Sequence, residues 1–109
     1  MSDPIDPMAA LLAAVKTYLP ITWMDTETDN RLTMMIEAGK AYLDSKLGET
    51  GDYTAAGYPR TLLLEFVRYA RDGASDVFEN NYRPMILAMQ HERMVNENAD
   101  TAEDAVPAP

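Results

Sequence analysis

Residues 26–47 read TETDNRLTMMIEAGKAYLDSKL. Leu32, Met35, Ile36, Gly39, Leu43 and Leu47 recur at three- and four-residue spacing, which draws one apolar stripe along a helix. Asp25 or Thr26 stands where a side chain caps the first turn, and Glu27 and Asp29 lie at the positive end of the helix dipole. Gly48, free to adopt a positive φ, stops the run. At ~1.5 Å per residue this helix spans roughly 33 Å. It is the longest element of the chain or nearly so, and its single stripe has to be covered by other helices.

Working outward, Met8, Leu11, Leu12, Val15 and Leu19 form a shorter stripe. Asp6 is its candidate N-cap, Pro7 its first residue and Pro20 its stop. On the other side, residues 48–60, GETGDYTAAGYPR, hold three glycines and a proline and read as the longest internal loop. A third helix follows, with Pro59 near its start and Leu62, Leu63, Phe66, Val67 and Ala70 facing inward. Thr61, Glu65, Arg68 and Asp72 align on its opposite, solvated face, where Arg68 reaches both carboxylates for a few tenths of a kcal/mol each. Gly73 ends that helix. Residues 74–79 make about one and a half turns with Val77 and Phe78 inward. Asn80 or Asn81 then caps a fourth helix that has Pro84 in its first turn, where the missing N–H removes no hydrogen bond. Tyr82, Met85, Ile86 and Met89 carry its apolar face on to about Glu97. The predicted fold is all-α: a small bundle of four helices over residues 1–97, with an acidic, extended tail over residues 98–109.

Composition bounds what such a bundle does. The chain has 109 residues, room for one domain and not for two. It has no cysteine, which excludes disulfides, cysteine–zinc sites and thiol catalysis. No apolar run approaches the ~20 residues of a membrane span, and MSDPIDPMAA is acidic where a secretion signal is basic, so a soluble, unexported protein is expected. The net charge is −9. Residues 1–58 carry nine acids and four bases, residues 59–96 five of each, and residues 97–109 four acids and no base. This gives no basic footprint with which to hold phosphates, so DNA would pass such a surface without being gripped.

No catalytic signature emerges. His91, the lone histidine, has no partner at ligand or acid–base spacing. Asp25, Glu27 and Asp29 alternate like a calcium loop, but the required glycine and distal glutamate are replaced by Asn30 and Ile36, which makes them helix-capping residues. GETGDYTAAG lacks the lysine of a phosphate loop. The chain is expected to be no enzyme and to hold no cofactor or metal.

Two features point instead to a contact surface. Arg60, Arg68, Arg71, Arg83 and Arg93 all follow residue 59, whereas the lysines precede residue 47, and arginine is the cation suited to half-buried interfaces. The segregation of an acidic first half from an arginine-bearing second half favours a subunit contact. Met24, Met34 and Met94 have no clear inward position and offer adaptable apolar surface.

The order of VKTYLPIT, DNRLTMMIEAGKAYLDSKLG, a loop, YPRTLLLEFVRYARDGASDVFENNYRPMILAM and a polar tail resembles the head-tail connector, or adaptor, proteins of tailed bacteriophages, over residues 8 to about 95. IEAGKAYLDSKLG and RYARDGASDVFENNYRPMI carry most of the likeness. The resemblance implies a small all-α protein of the virion neck, present in the host cytoplasm during assembly. It would form a homo-oligomeric, twelvefold ring beneath the portal protein and extend the DNA channel toward the stopper or tail-completion protein. It further implies that the tail leaves the body and docks in extended form, with Val106 and Pro107 as apolar contacts and Glu103 and Asp104 facing basic groups. The residues alone also allow an acidic helical partner-binding module, such as a DNA-mimic inhibitor or anti-repressor, or a small enzyme subunit using Asp or Glu.

Overall fold

The structure is a computed structural model that describes residues 7–21 and 25–105, with side chains as far as residue 97. Four helices follow in order: α1 (Pro7–Tyr18), α2 (Thr26–Leu47), α3 (Tyr58–Arg71) and α4 (Ser75–Ala105). No strand occurs among the described residues. α3 packs against both α2 and α4, and α1 lies over α2 and α3.

The ends of α2 fall where local chemistry places them. The Asp25 carboxylate accepts from the Glu27 amide and from the Thr28 hydroxyl, which satisfies first-turn donors. Gly48 closes the other end at φ +83°, its amide donating to the Asp44 carbonyl at 2.8 Å. The predicted stripe is the one that is buried, with Leu32, Ile36, Gly39, Leu43 and Leu47 inward and Met35 packed at the margin. At Gly39 a Cβ would stand 2.7 Å from Leu63 Cδ1 and 2.8 Å from Phe66 Cδ1, so glycine is what lets α2 and α3 approach there.

The core joins this stripe to Leu11 and Val15 of α1, to Leu62, Leu63 and Val67 of α3, and to Phe78, Ile86 and Met89 of α4. An aromatic cluster fastens the last two helices. Phe78 stacks on Tyr82 at 4.9 Å and meets Phe66 and Tyr69 edge-on at 5.4 and 5.6 Å. Such pairs add about 0.5–1.5 kcal/mol each beyond their burial. Phe66, expected to face inward, packs against the core and is partly buried at the rim of this cluster, where it stacks on Tyr42. Tyr53, from the loop, is buried too, its hydroxyl donating to Asp44.

Four expectations are corrected. α4 begins at Ser75, so Asn80 and Asn81 lie inside it and cap nothing, and Pro84 is an interior residue. The proline withholds one ladder hydrogen bond from Asn80, a defect of about 3 kcal/mol in an isolated helix. Asn80 and Pro84 are both exposed, so water can serve the orphaned carbonyl, while burial of Phe78 and Tyr82 against α3 holds the preceding turns helical. Val77, expected inward, is exposed, because the single continuous helix turns it away from Phe78. Glu65, expected on a solvated face, is buried. The backbone also remains helical past Glu97 to Ala105, through a stretch containing three alanines that favour helix.

Candidate functional site

Glu65 is the most densely bonded polar group among the described side chains. It accepts hydrogen bonds from the Tyr18 hydroxyl at the end of α1 and the Tyr82 hydroxyl on α4. Arg68 adds a two-pronged contact, Nε at 3.0 Å and Nη2 at 2.7 Å. Chiefly the Arg68 guanidinium, with help from the two hydroxyls, holds this carboxyl down at about 2. In return, burial first and the Glu65 contact second push the Tyr82 hydroxyl up to about 12. A carboxylate so filled with donors, and so far from a working pKa, is poorly suited to proton transfer and instead ties α1, α3 and α4 together. A second tie joins α2 to α4: Glu79 takes the Tyr42 hydroxyl at 2.6 Å and Lys46 at 2.7 Å.

These ties use several of the arginines expected at a subunit contact. Arg60 donates to the Tyr53 carbonyl at 3.1 Å, and Arg68 pairs with Glu65. Arg83 lies 4.0 Å from Glu79, and Arg93 pairs with Glu49 at 2.8 Å and Glu97 at 3.4 Å. Arg71 is exposed in the last turn of α3. The five are thus spread over α3 and α4 without converging on one patch. Glu103 and Asp104 fall at the end of α4, but their side chains, with Val106, Pro107 and Met24, lie outside the described residues.

What converges is apolar. Leu87, His91 and Met94 are spaced i, i+4 and i+7, which sets them on one side of α4, with Pro84 and Val95 beside them. That side is opposite Ile86 and Met89, which face the core. Leu87 is 57 %, Met94 58 % and Val95 49 % exposed. No carboxylate interrupts this face from Val77 to Val95, in a chain of net charge −9. Met34, on α2, is also exposed. Of this surface, Met94 and Met34 are the residues whose spacing gives them no inward position. Leu87 and Val95 were legible in the same spacing, but only once α4 was known to be one helix with its inner face assigned.

On the other side of α4 the loop leaves a cavity of about 590 Å³, lined among others by Leu47, Glu49, Asp52, Met89, Glu92 and Arg93. Among the described residues no group of three His, Cys, Asp or Glu side chains is placed to hold a metal ion. Nor is any described helix long and apolar enough to cross a membrane.

Comparison with known proteins finds no matching family model, curated protein or solved structure.

Proposed function

We propose that this protein is a structural component of a phage neck, a ring-forming adaptor between the portal and the stopper or tail, with no catalytic turnover. The observation that supports the reading best is the outward face of α4. Three large apolar side chains, Leu87, Met94 and Val95, each about half exposed or more, share a face that no carboxylate interrupts between Val77 and Val95. An exposed apolar patch that polar residues border is the mark of a surface kept for association. Because each copy carries a charge of −9, copies repel one another everywhere except where carboxylates are absent, and that face is where contact costs least. A closed ring needs a second, different patch on each subunit, which the exposed Met34 side of α2 supplies in this reading. The acidic remainder of the surface suits a channel through which DNA slides unheld.

Electron micrographs of the full chain, purified at about 0.5 M salt to screen the like charges, test this directly. Rings with an open centre are expected. Isolated particles of monomer size under those conditions would overturn the reading in favour of an acidic partner-binding module.

A further inference from the structure

A second depression, of about 340 Å³, lies between the start of α3 and α4, lined by Gly57, Tyr58, Thr61, Met85 and Glu92. It shares Gly57 and Glu92 with the larger cavity, so the two form one groove along the inner flank of α4. Three partly exposed apolar side chains, Tyr58, Pro59 and Met85, line it together with the buried Leu47 and Met89. Met85, partly exposed in this lining, allows the groove to fit side chains of differing shape. Its rim carries Glu49, Asp52, Glu92 and Glu97 against one cation, Arg93, whose guanidinium is already shared by Glu49 and Glu97. Asp52 accepts from the Thr54 hydroxyl and amide, which hold its carboxyl below the usual range and keep it charged. Glu92, where the two depressions meet, makes no ion pair or hydrogen bond among the described residues.

A groove with an acidic rim and the apolar side chains of Tyr58, Pro59 and Met85 within it fits a helix that has apolar anchors on one side and lysine or arginine along its edges. The chain's own ends do not meet that description: residues 1–6 hold two aspartates and no base, and residues 97–109 hold four acids and no base. The outward face of α4 from another copy brings a single flanking cation, Arg83, already beside Glu79. Nucleic acid is repelled by the rim.

We infer that this groove docks a basic amphipathic helix belonging to a different protein, with Glu92 as the free carboxylate that meets its arginine or lysine. This gives the chemistry of the second partner in the adaptor reading, and rests on that reading only for there being such a partner.

Fluorescence anisotropy of the full chain tests it, with a labelled synthetic helix of about 16 residues carrying leucine at i, i+4 and i+7 and arginine on both edges. Saturable binding that weakens as salt rises is expected. Glu92→Lys, an exposed substitution, should weaken it about tenfold while leaving the thermal midpoint and the sedimentation of the protein unchanged. Leu87→Asp, on the opposite face, should leave peptide binding intact, so loss of assembly and loss of docking are separable. Equal binding of a peptide with glutamate in place of arginine, or unaltered affinity in Glu92→Lys, would overturn the inference.

Discussion

Replacing Glu65 by glutamine keeps the shape of the side chain and removes the charge that its donors converge on. The two tyrosine hydroxyls and both Arg68 contacts were formed with a carboxylate. A glutamine amide accepts at one atom only, and its NH2 group faces donors. The magnitude follows from linkage. The folded carboxyl titrates at about 2 against an ordinary 4.5, and each unit of depression corresponds to about 1.4 kcal/mol. Because the Arg68 side chain is 46 % exposed, solvent screens part of that. A loss of about 2 kcal/mol at neutral pH is the expected net, or roughly 8 °C in the thermal midpoint of a domain of this size. The sign also fixes the pH window. A carboxyl with a depressed folded pKa stabilises fully above its unfolded value and loses that stability as pH falls from about 4.5 toward about 2. Thermal and urea unfolding of the parent and Glu65→Gln, from pH 7 down to about 2.5, should therefore show a gap that closes through this window. An unchanged midpoint at pH 7, or a gap that stays constant down to the lowest pH, would refute the role given to Glu65.

Two further substitutions probe the packing. Phe78→Ala should cost about 3–5 kcal/mol in urea unfolding, since Phe78 is 1 % exposed and touches four aromatic rings; a loss below about 1 kcal/mol would remove it from the centre of the core. Pro84→Ala should restore the missing ladder bond of α4 and raise stability by about 1 kcal/mol or more, and a lower midpoint would mean that the helix depends on the proline.

The parts of the fold that were legible in the sequence are those decided by neighbours along the chain. Asp25 and Gly48 bound α2 through contacts within four residues, and the stripe between them repeats without interruption. The start of α4 was not legible. Two asparagines and a proline are local signals for a helix start, and they lose to the burial of Phe78 and Tyr82 against a helix formed earlier in the chain. Glu65 hid for the same reason: its hydroxyl donors, Tyr18 and Tyr82, are 47 and 17 residues away, so spacing within α3 shows only the Arg68 pair. Part of the candidate contact face was readable in Met94, whereas Leu87 and Val95 become meaningful only when the opposite side of α4 is known to be core. The groove has no local signature, because its walls come from the 48–57 loop, the start of α3 and the second half of α4.

The central claim, that copies of this chain associate through the outward face of α4, is tested most directly by sedimentation velocity over a range of concentration and salt. A discrete species near the mass of twelve 12.2 kDa chains, about 146 kDa, is predicted, favoured by salt and reduced to single chains by Leu87→Asp. A parent protein that sediments as a 12.2 kDa monomer under all conditions, or an assembly that Leu87→Asp leaves intact, would contradict it.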